Sequence, residues 1–150
     1  MIEQLGRLGF LGRSVLVSAR ADSERFGKVA ERDGVCVVDW HMPSAGTPFS
    51  YAVSVPKDSE VSRMISKSGS FVVNFMGPEH SQRMDFVKGP GRGFSDLFSF
   101  LKVSRDEAEK VDCPRVREAR AHLECEVASE LDSGDHTVFT GRVLGAGGLK

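Results

Sequence analysis

The sequence predicts a mainly β protein, a β-barrel with short peripheral helices. Three observations carry that expectation. Short runs rich in β-branched residues recur along the chain, each closed by glycine, proline or a polar cluster. One stretch, at Val61, Met64 and Ile65, has the i, i+3, i+4 spacing of an amphipathic helix. Residues 121–143, AHLECEVASELDSGDHTVFTGRV, read as two strands joined by a polar turn.

In chain order, SVLVSA (14–19) is a β-branched run and a strand. ADSERFGKVAERDG is polar and reads as a loop or an irregular hairpin. GVCVVDWHM (34–42) is apolar and β-prone, with Pro43 expected to end it, and PSAGTP has the composition of a turn. SYAVSV (50–55) is a strand stopped by Pro56. Asp58 or Ser59 then caps the helix of KDSEVSRMISKSG, and Gly69 suits its end. SFVVNFM (70–76) is a strand, PEHSQRMDFV a short helix, and KGPGRGFSDLF a glycine-rich loop. Ser104 and Glu107 have capping-box spacing for another short helix. In the final hairpin Leu123, Cys125 and Val127 alternate with Glu124 and Glu126, the turn is drawn from Asp132 to Asp135, and His136 stands where the second strand begins.

A chain of 150 residues is read as one domain over 1–150, long enough to bury a core. Twenty basic and 21 acidic side chains leave a net charge of −1, which offers no general attraction to nucleic acid or anionic lipid. Cys36, Cys113 and Cys125 are odd in number and share no metal-site spacing, so reduced thiols in a cytoplasmic protein and no metal are expected. Arginines interrupt each apolar patch of MIEQLGRLGFLGRSVLVSARA, which reads as neither a signal peptide nor a membrane span.

Candidate chemistry concentrates in two places. From Ser54 a strand end leads through Pro56, Lys57 and Asp58 to Ser59 and a helix start, whose free amides and dipole suit a phosphate. Lys57 adds positive charge and Ser59 a hydroxyl, while Asp58 competes for the cap. A capped helix alone also accounts for these residues. DWHMP (39–43) gathers a carboxylate, the one tryptophan and an imidazole at a strand end, with alternation placing Asp39 and His41 on one face and Trp40 on the other. GPGRG (89–93) lacks the setting of a dinucleotide or P-loop fingerprint. No nucleophile-elbow or zinc-helix motif is present, which argues against triad or metal chemistry.

Taken in order, VDWHMP, AVSVPKDSEVSRMISKSGSFVVNF and AHLECEVASELDSGDHTVFTGRV resemble the flavin reductase-like family from about Ser14 to Gly145. That family typically shows a strand ending in Trp-x-x-Pro, a V-S-[IV] strand, a helix, G-x-F-V-V-N, an A-x-L-E-C-x-V strand and G-D-H-T-[IVL]-F-x-G-x-V. The resemblance implies an FMN-binding split β-barrel, antiparallel and Greek-key-like, of six strands or a similar number. It implies a homodimer with FMN at the subunit interface, and NADH or NADPH as co-substrate.

By the same resemblance Val35, Cys36, Val37, Val38, Asp39, Trp40 and His41 run along the flavin ring. Ser54, Val55, Lys57 and Ser59 hold the phosphate, and Asn74 and the loop from Asp85 to Phe98 lie near the ring or dimer contact. His136 is the one catalytic candidate, either orienting nicotinamide or making a structural hydrogen bond. The implied function is hydride transfer from NAD(P)H to flavin and on to an acceptor. Alternatives are a flavoredoxin-like electron carrier reduced by a partner protein, or a dimeric binding protein that has lost flavin.

Some positions depart from the family pattern. Ser59 and Val61 replace an arginine and a threonine associated with the phosphate, Leu97 replaces the lysine of Asp-Lys-Phe, and Asp39 replaces a serine or threonine. A carboxylate facing the ring is expected to lower its potential. The chain stops at Lys150, before a closing segment that many members have.

Overall fold

Strand alternation and one amphipathic helix produce most of the architecture, which the computed structural model describes over residues 13–88 and 96–148. Its elements in order are β1 (Val15–Arg25), β2 (Lys28–Val38), β3 (Trp40–Gly46), β4 (Phe49–Pro56), α1 (Glu60–Ser68), β5 (Ser70–Phe75), a 3₁₀ turn (Pro78–His80), α2 (Ser81–Val87), α3 (Leu97–Leu101), β6 (Arg105–Glu107), β7 (Pro114–Val116), β8 (Ala121–Ser133) and β9 (His136–Gly147). GPGRG and its Arg92 lie outside the described residues.

Seven strands form one antiparallel sheet in the order β2-β1-β5-β8-β9-β4-β3, and β6 pairs with β7 separately. β2 and β3 occupy opposite ends of that order, yet only Asp39 stands between Val38 and Trp40. Consecutive Cα atoms are ~3.8 Å apart, so the two edges must meet at this joint. The sheet therefore curls into a barrel, and the edges share no ladder, which leaves it split along that seam.

The interior takes Val15, Val17 and Ala19 from β1, Cys36 and Val38 from β2, Val53 and Val55 from β4, Phe71 and Val73 from β5, and Phe139 from β9. Val61, Met64 and Ile65 of α1 join the same cluster. Each fully buried apolar side chain of this size stabilises the fold by about 1.5–3 kcal/mol. The helix is bounded as the sequence indicates: Ser59 Oγ accepts from the Val61 amide at 3.1 Å, and Gly69, at φ 77°, donates its amide to Ile65 O.

A second cluster lies outside the barrel, where Leu16 and Val35 meet Met84, Phe98, Leu101 and Val116 from α2, α3 and β7. It takes no residue from β3, β4, β8 or β9. Polar groups between the layers are paired: Asn74 Nδ2 donates to Leu16 O and Ser18 Oγ, each at 3.0 Å, and Asn74 Oδ1 accepts from the Val116 amide. Ser18 donates to Pro114 O at 2.7 Å, so two side chains pin β7 to β1 and β5.

Four sequence expectations need correction. The polar stretch after Ala19 is a regular β1–β2 ribbon turning at Phe26 and Gly27, with φ 52° and 77°. β5 pairs with β1 only from Leu16 to Ser18, so the far ribbon has no sheet neighbour beyond β2 and needs no apolar alternation. The run 34–42 breaks at Asp39, and its second half continues through Pro43 to Gly46. β3 is an edge strand, where a proline's missing donor is tolerated. Ser104 caps no helix: the Glu118 carboxylate accepts its amide, and Arg105–Glu107 pair with β7. The unforeseen helix is α3, whose Asp96 cap accepts from Ser99 N at 3.3 Å.

Glu124, 2% exposed, is the most deeply buried of the carboxylates among the described residues. It accepts the Lys110 amide at 2.6 Å and faces His122 Nε2 at 3.1 Å. Burial pushes its carboxyl up, but the Lys110 and Glu109 amides and His122 outweigh that and hold it below the ordinary 4.5. A depressed folded value gives stability that is present above 4.5 and lost as pH falls through the folded value. Glu124→Gln is expected to cost about 1.5–3 kcal/mol at pH 7, with the difference from the native protein shrinking below pH 4.5 in denaturant titrations. A constant difference across that range would contradict the assignment.

Candidate functional site

The split seam opens into a cleft of ≈ 1560 Å³. One wall is the end of β2, with Gly34, Val35, Cys36 and Val37, continued by Asp39 and Trp40. The opposite wall is the β4–α1 turn at Lys57–Ser59 together with the β8–β9 turn at Asp135 and His136. A backbone hydrogen bond from Lys57 N to Asp135 O, 2.9 Å, ties the two turns together. Phe98 and Arg105 lie on the side of α3 and β6, the guanidinium 5.0 Å above the ring.

Of the positions singled out in the sequence, Val35, Cys36, Val37, Asp39, Trp40, Lys57, Ser59 and His136 line this cleft. Five do not. Val38 and Val55 alternate into the barrel core. Ser54 sits mid-strand between Trp40 and Val138. His41 turns away from the cleft, its ring nitrogens 2.7 Å from Tyr51 Oη and 2.5 Å from Arg13 O. Asn74 is consumed by the contacts that hold β7. The kink at Asp39 is why alternation misplaced these faces: Asp39 and Trp40 share the cleft, and His41 does not.

His136 packs against Trp40, ring centroids 4.6 Å apart at 38°. Its Nδ1 lies 2.6 Å from Asp135 Oδ1, and this contact holds the Asp135 carboxyl below the usual carboxylate range. The histidine thus fixes the turn and supplies one face of an aromatic step at the cleft. Cys36 is not a nucleophile here: burial pushes its thiol up to about 12, against the pull of the Ser59 hydroxyl.

The charges differ from the expectation for the helix start. Lys57 pairs with Asp132, and Ser59 spends its acceptor on the Val61 amide. Asp58 and Glu60 further occupy the positive end of α1. Arg20 is held by Asp33, Glu107 and Asp112, and Arg25 by Glu60. Two cleft arginines make no ion pair with a carboxylate among the described residues. Arg32 donates to the Ser23 and Lys28 carbonyls, and Arg63, exposed in the first turn of α1, has neither ion pair nor hydrogen bond. Sequence reasoning passed over Arg63, although its place off the Val61–Met64–Ile65 stripe and close to the cap was a usable signal.

The arrangement offers an aliphatic and aromatic wall for a flat ring, with cationic groups at the helix side. No group of three or more metal-ligating side chains occurs among the described residues. Among the described residues no helix is long and apolar enough to cross a membrane.

The profile described as flavin reductase like domain matches residues 9–148. An uncharacterized protein of Pyrococcus abyssi is 31% identical over 110 residues, 73% of this chain and 63% of that one. The chain spans less than two thirds of the length of such curated relatives, at 64% and 63% for two of them. Among solved structures, flavoredoxin of Desulfovibrio vulgaris (Miyazaki F) superposes with a TM-score of 0.73 at 22% identity, covering 92% of this chain and 70% of that one. BorF, the flavin reductase component of a bacterial two-component tryptophan halogenase, superposes with a TM-score of 0.74 at 21% identity, covering 98% and 87%. At these identities the superpositions establish the fold.

Trp40 is the only tryptophan, so its emission reports on the contact with His136. His136→Ala is expected to raise that emission, because the imidazole no longer rests against the indole. Emission left unchanged in the variant would show that the ring contact does not form in solution.

Proposed function

This chain belongs to the flavin reductase-like family, and from that premise we propose that it binds FMN in the cleft between β2 and the β4–α1 turn and acts as an NAD(P)H-dependent flavin oxidoreductase. The single observation that carries the reading is the cleft's division of chemistry. Val35, Val37 and Trp40 offer surface for a ring, while Arg63 offers a cation without ion pair or hydrogen bond among the described residues, near the helix start and in the field of Glu60. The solved relatives named above add a precedent by what their names say, a flavoredoxin and a flavin reductase.

Bound FMN supplies the hydride-accepting chemistry. The protein's own tasks are then few. Val35 and Val37 exclude water from one side of the ring, and Trp40, braced by His136, limits its slide along the strand. Arg63 takes the phosphate, with Lys57 contributing a charge shared with Asp132. Stacking of a nicotinamide on the ring calls for orientation and no acid or base from this chain.

The homodimer is proposed on the uncovered flank. Trp40, Ser54, Val138 and Leu131 form one row across β3, β4, β9 and β8, with Met42 beside it. Trp40, Met42 and Leu131 are 36%, 62% and 62% exposed, and the outer cluster contributes no cover there. Exposed apolar side chains grouped on one uncovered face are a common mark of a partner. A second subunit laid on it would close the cleft at Trp40. Three free cysteines fit a reducing, cytoplasmic setting.

The test is an absorbance titration of the purified protein with FMN, followed by anaerobic NADH or NADPH. We expect a perturbed flavin spectrum that either nucleotide bleaches, weaker binding of riboflavin than of FMN, and a light-scattering mass of twice 16.4 kDa. A flavin spectrum that neither nucleotide bleaches would move the protein to the electron carriers. No flavin binding would leave a dimeric binding protein.

A further inference from the structure

Asp39 occupies the joint where the two sheet edges meet, and its carboxylate lines the cleft. The residue cannot retreat, because the strands on either side of it run in different ladders. Its oxygen Oδ1 accepts from Ser14 Oγ at 2.5 Å and lies 2.8 Å from Lys88 Nζ. The ammonium also reaches Ser14 Oγ at 2.6 Å and Asp85 Oδ1 at 3.1 Å. Lys88 is the C-cap of α2, its amide bonded to Asp85 O, so the end of the helix sets the cation in place. The Lys88 side chain is 30% exposed and lines the same cleft, whereas Asp85 is 71% exposed and does not. Lys88 is the only cation paired with Asp39 among the described residues.

We propose that Lys88 sets the electrostatic potential of the flavin site by cancelling the charge of Asp39. This deepens the flavin reading and rests on it. Reduction delivers two electrons and one proton to the bound ring, together as hydride from a nicotinamide or as electrons from dithionite with the proton from water, and the cleft gains one net negative charge. A bare Asp39 opposes that charge, and a bare Lys88 attracts it. Together they present a nearly neutral pair, so the carboxylate at this position does not by itself lower the potential. Lys88 acts as a positioning charge through Asp39. Burial works against its positive form, and Asp39 and Asp85 more than restore it, which keeps the ammonium charged.

The experiment compares the reduction midpoint of bound FMN in the native protein, Lys88→Met, Lys88→Arg, Asp39→Asn and the double variant Lys88→Met/Asp39→Asn. Dithionite is the reductant, a reference dye reads the equilibrium, and FMN affinity and melting temperature are recorded for each protein. Lys88→Met is expected to shift the reduction equilibrium ~10-fold against the reduced ring, the order that a unit charge exerts across ~10 Å at an effective dielectric of ~20. Asp39→Asn should shift it the other way, Lys88→Arg should hold it, and the double variant should return close to native. A loss of packing alone would not give opposite signs that cancel. If Lys88→Met does not fold, the opposite shift in Asp39→Asn still decides. Unchanged midpoints in flavin-loaded Lys88→Met and Asp39→Asn would overturn this proposal and leave the flavin reading standing. A native protein that takes up no FMN would overturn both.

Discussion

The connection of β2 to β3 through the single residue Asp39 is the constraint from which the rest of the molecule follows. Two strands at opposite ends of a seven-stranded order cannot be joined by one residue unless the sheet rolls up. Rolling creates an inside, filled by the alternate residues of β1, β2, β4, β5 and β9, and leaves a seam without hydrogen bonds. The seam is where a cleft can form at no cost in ladder pairing. The joint also places Val37, Asp39 and Trp40 side by side, which neither strand could do alone.

The outer surface is divided as a result. On β1 and β2, α2, α3 and β7 build a second apolar layer, and the buried Asn74 and Ser18 hold β7 against β1 and β5. The side made by β3, β4, β9 and β8 receives none of these elements. The cleft lies at the boundary between the covered half and the bare half, so its walls combine packed aliphatic groups with exposed Trp40. Arginines and carboxylates from β1, β2 and β6 close its far rim as a network around Arg20 and Asp33.

Local pattern made much of this legible. Val61, Met64 and Ile65 announced a helix because one face is buried, and Ser59 and Gly69 bound it because caps are read within a few residues. The 121–143 hairpin was legible for the same reason, with its turn narrowing to Gly134 and Asp135. The far β1–β2 ribbon was hidden because it has no sheet neighbour beyond its own partner strand to impose alternation. The break at Asp39 was hidden because apolar character runs straight across it. Ser104 misled because the partner of its amide, Glu118, comes from beyond the window in which a capping box is sought. Lys88 could not be assigned a role in advance, since its meeting with Asp39 is made by the fold and by no spacing in the chain.

The sheet order carries a consequence for how the chain reaches this state. β1–β2, β3–β4 and β8–β9 are hairpins between neighbours in sequence, of the kind that close in about 1–10 μs. The seams that unite them, β1 with β5, β5 with β8 and β4 with β9, join segments far apart along the chain. Each such seam requires a long loop to close before its contacts repay the entropy, and chains dominated by pairings of this type fold in milliseconds to seconds. During that interval the hairpins exist with their inner faces wet. The tether at Asp39 fixes the separation of two of them from the start, so one of the barrel's longest-range relations, edge to edge, is in place before any tertiary contact is made.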